Sequence, residues 1–351
     1  MRIVVDVSPL SRPRTGIGNY IRGMVAGLAE AARGDHELVA FGPSGPEGRK
    51  RIEEALAGID IEVRTPLIPN VLRTAWSRRG RPTVERLVGG LDVFHFSDWM
   101  YPAQQRGLRA TTIHDLVPLR FPEWVEPETL RLHGPKYENA AATCDRIFVN
   151  SHFTGGEVVE LLGVPEERVR VAYPGIDPRF SPDGEAADLG GPYVLGVSTL
   201  EPRKNLPALV AAFGLLRQRH PELTLALAGL EGWEREPLAA EGVRLLGFVS
   251  DDELARLYRG AAVFAYPSRF EGFGIPVVEA LASGVPTVVS SHPSLDEASG
   301  EAALRADPDD HEAFADALEQ ALDAPRGTGV EHASRFTSRA CGEAVLAGYL
   351  D

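Results

Sequence analysis

The feature that most constrains the fold is a repeated alternation. Short runs rich in Val, Ile and Leu are separated by stretches whose apolar residues recur at helical spacing. In the first half such runs lie at 2–7, 38–41, 93–96, 111–114, 147–150 and 169–173. In the second they lie at 193–197, 223–228, 243–246, 263–266 and 287–290. Ile21, Met24, Val25 and Leu28 follow the i, i+3, i+4, i+7 rule of one helical face over 21–32. Leu206, Leu209, Val210 and Phe213 do the same over 206–216, with Asn205 placed to cap that helix. Runs that are apolar throughout and alternate with helices indicate parallel sheets covered on both faces. The pattern restarts after a Pro/Gly/Asp-rich stretch at 174–192, which reads as a linker. The expected fold class is therefore α/β, as two doubly wound, Rossmann-like parallel-sheet domains. The expected spans are 1–178 and 186–335, facing a cleft. In open α/β sheets ligands collect at the carboxyl ends of strands, so loops leaving strands carry the functional information.

Charge supports two units. Residues 1–180 carry 23 Lys/Arg against 23 Asp/Glu, and residues 181–351 carry 13 against 27, so the net −14 belongs to the second half. A general nucleic-acid binder needs the opposite balance. Two cysteines, Cys144 and Cys341, exclude a disulfide framework and a cysteine-rich metal site. No apolar run is long enough to span a bilayer. The start, Met1-Arg2-Ile3-Val4-Val5-Asp6-Val7, reads as a buried strand and not a signal peptide, so the expected location is the cytoplasm.

The most specific motif is Arg269-Phe270-Glu271-Gly272-Phe273-Gly274-Ile275-Pro276-Val277-Val278-Glu279. It follows the run at 263–266 and opens a helix. Gly272 and Gly274 allow close backbone approach, and Pro276 suits a helix start. N–H groups at Gly274 and Ile275 are then placed to cradle a phosphate. Glu271 and Glu279 supply carboxylates for sugar hydroxyls. The bland alternative makes Glu279 a dipole-complementing acid and Glu271 a solvated loop residue. Arg203 and Lys204 follow the run at 193–197, where a planar fork and a point ammonium suit a diphosphate and its leaving-group charge. Cations at a helix start otherwise oppose its dipole.

Gly16-Ile17-Gly18 lies between the first run and the 21–32 helix as a glycine loop. It lacks the third glycine of a dinucleotide site, and the second run has no acid for a nicotinamide ribose, so a dehydrogenase is disfavoured. His114 ends its run pointing toward the same cleft; a lone histidine there is as readily structural as functional. Asp307-Pro308-Asp309-Asp310 has the D-x-D spacing of some metal sites, but Asp309 or Asp310 reads better as a helix cap. No metal or other cofactor is expected. The segment from Arg64 to Arg86, with six arginines, one acid and interleaved Val71, Leu72 and Trp76, reads either as a solvated loop or as a peripheral contact with an anionic membrane.

With these motifs in order, the chain resembles the retaining glycosyltransferases of family 4, also called group 1, which have the GT-B fold. The resemblance runs nearly the full length. It includes Ser151-His152-Phe153, Tyr173-Pro174-Gly175-Ile176-Asp177 and Gly247-Phe248-Val249-Ser250. It implies that Arg203 and Lys204 bind the donor diphosphate and that Glu279 binds ribose. Phe273, Gly274 and Ile275 offer backbone to phosphate and sugar, and Glu271 holds the sugar's 3- and 4-hydroxyls. Gly16 and Gly18 close on the donor, main chain near Val249 touches the base, and His114 steadies charge at the anomeric carbon. It further implies a C-terminal helix, 336–351, returning to the first domain. Thr15–Tyr20 and His114–Pro122 are similar to bacterial mannosyltransferases that build surface polysaccharides. GDP-mannose is therefore the leading donor and UDP-glucose the runner-up, with a glycan, a lipid-linked glycan or a small-molecule hydroxyl as acceptor. An epimerase or phosphorylase on the same architecture, or a non-catalytic sugar-nucleotide-binding assembly subunit, are the alternatives. A pyridoxal-phosphate phosphorylase is disfavoured by the scarcity of lysine: Lys50, Lys136 and Lys204.

Overall fold

The computed structural model of the chain describes residues 1–12, 16–68, 76, 81–97, 101–229, 232 and 238–351. It divides into two compact units, Met1–Gly175 with Phe336–Asp351, and Ile176–Arg335. The first holds a seven-stranded sheet in the order β3-β2-β1-β4-β5-β6-β7. Its strands are β1 Arg2–Asp6, β2 Glu37–Phe41, β3 Glu62–Arg64, β4 Val93–Phe96, β5 Leu108–Ile113, β6 Arg146–Val149 and β7 Val169–Val171. The second holds a six-stranded sheet in the order β10-β9-β8-β11-β12-β13. These are β8 Tyr193–Val197, β9 Thr224–Ala228, β10 Val243–Gly247, β11 Val263–Tyr266, β12 Thr287–Ser290 and β13 Leu304–Ala306. Every strand pairing is parallel.

The sequence order reverses at β1/β4 in the first sheet and at β8/β11 in the second. Strands at these two places are buried on both faces: β4 and β11 are buried throughout, and β1 and β8 along four of five residues. Such burial requires the unbroken apolar runs seen in the sequence. Chain leaving two adjacent strands in opposite directions opens a crevice at their carboxyl ends.

Ile176 onward belongs to the second unit, so much of the expected linker is integrated there. Phe180 packs edge-on against Tyr258 at 5.7 Å, and Arg179 pairs with Asp252 at 2.7 Å. The helix Ser338–Leu350 lies in the first unit against the helix Gly16–Ala31. Gly27 and Gly342 meet at that crossing. A Cβ built at Gly27 would stand 1.7 Å from the Ser338 carbonyl oxygen, and one at Gly342 would stand 2.0 Å from the Gly27 carbonyl carbon. Only glycine permits backbones that close.

Asn205 precedes the helix Leu206–Arg219 but does not cap it. It sits in the left-handed region at φ 55°, and its side chain reaches Asp309 and the Pro308 carbonyl. Asp310 accepts from the Ala313 N–H at 3.0 Å and caps the helix His311–Leu322 as the sequence suggests. Of the arginine-rich segment, 69–75 and 77–80 lie outside the described residues. Trp76 is no surface anchor: it is buried, packs on Phe41 at 6.2 Å and donates its indole N–H to the Pro82 carbonyl. Among the described residues no helix is long and apolar enough to cross a membrane.

His95 on β4 lies beneath the C-terminal helix, 2.7 Å from the Tyr349 hydroxyl and 2.8 Å from that of Thr112. Burial, with smaller effects from His114 and Lys136, holds its pKa at about 3 against an ordinary 6.5. The folded form keeps this ring neutral while the unfolded chain protonates it below pH 6.5. Stability is therefore full above that pH and drains as pH falls toward 3, at about 1.4 kcal/mol per pH unit. His95→Gln is expected to remove about 2 kcal/mol of the stability difference between pH 7 and pH 5 in urea melts. An unaltered difference would mean that His95 is not the group held neutral.

Candidate donor-binding site

β8 ends at Val197, and the chain turns through a short 3-10 segment, Pro202–Lys204, before the helix Leu206–Arg219. β11 ends at Tyr266 and leads through Ser268 and Glu271 to the helix Ile275–Ala282. Because β8 and β11 are neighbours at the reversal point, these two loops meet. Arg269 N donates to the Arg203 carbonyl at 2.9 Å, tying them at backbone level.

Three sequence-predicted residues converge there. Lys204 Nζ lies 2.5 Å from Glu271 Oε1, and Arg203 Nη1 lies 3.1 Å from Oε2. Glu271 is therefore not a solvated loop residue but a buried carboxylate facing both cations. Burial alone would raise its pKa; the Lys204 and Arg203 charges, with donors from Lys204 and Ser268, overcome that and pull it to about 2. By linkage this pairing contributes stability above pH 4.5 and loses it as pH falls toward 2. Burial and the Arg203 charge depress the Lys204 pKa, with Glu271 acting against them.

Several partners carry no sequence signal of their own. The Tyr266 hydroxyl, at the end of an otherwise apolar strand, lies 2.9 Å from both Glu271 Oε1 and Lys204 Nζ. Ser268 donates to Oε1 at 2.6 Å, and Ser294, following β12, donates to the Glu271 carbonyl at 2.8 Å. Glu201 takes Arg203 Nε at 2.8 Å. Tyr266 reads as strand and Ser268 as turn; only their proximity to Glu271 in sequence hints at more.

Gly274 has φ 104° and precedes the helix Ile275–Ala282, where Pro276 stands at the start. A Cβ at Gly274 would also meet a terminal methyl of Leu295 at 2.6 Å, but it is the left-handed conformation that calls for glycine. Phe273 is buried and shapes this turn, while Ile275 is half-buried. Glu279 lies further along the helix than a first-turn acid, buried, with the Tyr258 hydroxyl 3.1 Å from Oε2. Asp309 takes Arg269 at 2.6 Å and Asp310 is a cap, so these acids of the D-x-D-like run have structural employment. Val249 follows the edge strand β10 and is half-buried.

The remaining residues belong to the first unit. Gly16 and Gly18 are not a loop before a helix but lie inside the first turn of the helix Gly16–Ala31. Tyr20 on that helix packs edge-on against His114 at 4.9 Å, so the structure brings the glycine turn and the end of β5 together. Burial, opposed by Asp115, holds the His114 pKa at about 4 and the ring neutral near pH 7.

Two doubly wound parallel sheets, with cations and an acid at the reversal point of the second, define a protein of the GT-B fold. Solved structures with this architecture include sucrose-phosphate synthase from Thermosynechococcus elongatus, with TM-score 0.64 and 19% identity over 99% of this chain and 94% of that one. They also include trehalose-6-phosphate synthase, with TM-score 0.69 and 14% identity over 100% and 99%. Residues 14–180 match the Glycosyltransferase Family 4 model, and residues 179–341 match that of Glycosyl transferases group 1. The chain belongs to the group 1 glycosyltransferases. It is similar to O-antigen chain mannosyltransferase B of Escherichia coli, at 29% identity over 99% of each chain.

Proposed function

We propose that this glycosyltransferase moves a hexose, with retention and without a metal ion, from a nucleotide-diphosphate sugar to a hydroxyl of a glycan or lipid-linked acceptor. GDP-mannose is the leading donor, supported by the similarity to an O-antigen mannosyltransferase, and UDP-glucose is the alternative. The observation that carries this reading is the meeting of Arg203, Lys204 and Glu271 beside the glycine turn that opens the helix Ile275–Ala282.

In this reading Arg203 and Lys204 take the diphosphate and stabilise charge as it leaves, the task a divalent ion performs elsewhere. Main-chain N–H groups at Gly274 and Ile275 add donors along the helix dipole. Glu279 takes the ribose, the chain near Val249 takes the base, and Glu271 takes hydroxyls of the sugar. On the other unit Gly16 and Gly18 offer close backbone. The neutral ring or carbonyl of His114 tolerates positive charge at the anomeric carbon better than an imidazolium would. The departing phosphate accepts the acceptor's proton on the same face, which preserves configuration.

Glu271→Ala is expected to lower turnover by about a thousandfold or more while nucleotide binding persists, since sugar contacts made in the transition state are lost and the phosphate cations remain. Steady-state transfer beside nucleotide titration checks this. A thermal-shift screen of GDP-, UDP- and ADP-sugars identifies the donor; stabilisation by none of them would contradict the proposal. A product formed from one donor with no acceptor present would point instead to an epimerase, and binding without transfer to an assembly subunit.

A further inference from the structure

The charges at the ends of β8 and β11 cancel. Arg203 is shared between Glu201 and Glu271, and Lys204 is committed to Glu271. Oε1 of Glu271 receives three donors, Lys204 at 2.5 Å, Ser268 at 2.6 Å and Tyr266 at 2.9 Å. Arg203 donates to Oε2, so four donors fill the roughly four lone-pair sites of the carboxylate, and Glu271 accepts sugar hydroxyls only as Lys204 and Arg203 leave it. A diphosphate that draws both cations onto its own oxygens strips this buried carboxylate of its charged donors. Leaving a buried ion short of partners is unfavourable. An intact sugar nucleotide brings hydroxyl donors that replace the lost ones. A bare nucleoside diphosphate carries hydroxyls only on its ribose, which Glu279 takes in this reading, and brings none to Glu271.

We propose that Glu271 discriminates the sugar-nucleotide donor from the nucleoside-diphosphate product by exchanging Lys204 and Arg203 for sugar hydroxyls, with Tyr266 as the positioning residue that holds its carboxylate through the exchange. The inference rests on the donor-binding reading above and deepens it. Tyr266 suits the task because its single proton goes to Glu271 Oε1 while a lone pair accepts Lys204 Nζ, each at 2.9 Å. Lys204 can leave without breaking the bond between Tyr266 and Glu271. The consequence is kinetic as well as thermodynamic: once the sugar departs, the carboxylate competes to reclaim its cations and the product is expelled.

Calorimetric titration with GDP and GDP-mannose, and in parallel with UDP and UDP-glucose, tests this on the wild type, Glu271→Gln and Tyr266→Phe. In Glu271→Gln the cations lose their internal counter-ion, so the bare diphosphate is expected to bind ~10-fold tighter while the sugar nucleotide gains nothing. In Tyr266→Phe the carboxylate has one donor fewer after the exchange. The diphosphate is then expected to weaken ~3–10-fold more than the sugar nucleotide, a shift of opposite sign. A purely structural role changes both ligands by the same factor, and equal factors in either variant overturn the inference. Should one variant not fold, the sign of the other decides. If the wild type binds neither ligand pair, the donor-binding reading fails and the exchange with it. If it binds a pair and Glu271→Gln leaves their ratio unchanged, only the exchange fails.

Discussion

In the Arg203→Ala, Lys204→Ala double variant, both sugar transfer and nucleoside-diphosphate binding are expected to disappear. Hydrogen bonds to charged groups contribute about 1.5–3 kcal/mol each, so losing two cations from one diphosphate costs about a thousandfold or more in affinity. The same change removes both cationic partners of Glu271, which is buried and held near pKa 2 by them. Breaking a buried ion pair from one side costs about 3–5 kcal/mol of stability. The folded pKa of Glu271 then rises, and the carboxylate, not the cations, limits stability near neutral pH. Circular dichroism melts separate this loss from the binding loss, since Glu271→Gln in the double-variant background is expected to restore the melt without restoring binding. Full turnover in the double variant would refute the phosphate assignment.

The second large effect is structural. Gly27→Ala is expected to destabilise the chain by about 3 kcal/mol or more and to lower Tm by about 6 °C or more. The added methyl would stand 1.7 Å from the Ser338 carbonyl oxygen, a backbone atom that rotamer changes cannot move. Gly342→Ala meets Gly27 from the other side and is expected to behave alike. The two helices then separate, pulling Tyr349 from His95. Gly214→Ala is the control. It lies exposed in the helix Leu206–Arg219 with nothing within 4 Å of its built Cβ, and it is expected to gain about 0.5–1 kcal/mol. Matching losses at positions 27 and 214 would show that the crossing does not depend on glycine.

The sequence declares the sheet cores well because parallel strands buried on both faces must be unbroken apolar runs. β4, β8, β11 and β12 fall on those runs residue for residue. The strands without such a signature are β3 and β13, three residues each at sheet edges, too short to make a recognisable apolar run, and β3 is largely exposed besides. Local propensity misleads at two helix starts. Gly16 and Gly18 invite a loop but are carried into a helix, and Asn205 invites a cap but takes a left-handed turn. Trp76 shows the opposite failure, a core residue set among arginines.

At the site, Arg203, Lys204 and Glu271 are each legible as chemistry-bearing residues at strand ends. Their mutual pairing is not, because 67 residues separate Lys204 from Glu271 and only the β8–β11 neighbourhood joins them. Tyr266 and Ser268 acquire meaning only once that pairing exists. The same holds for Asp309, whose pairing with Arg269 joins residues 40 positions apart.

The most direct measurement is a structure of the protein with a non-transferable analogue of its sugar-nucleotide donor. The diphosphate is expected on Arg203, Lys204 and the N–H groups of Gly274 and Ile275, with Glu271 turned to the sugar hydroxyls. A diphosphate bridged by a divalent ion, or bound away from Arg203 and Lys204 while both still grip Glu271, would contradict it.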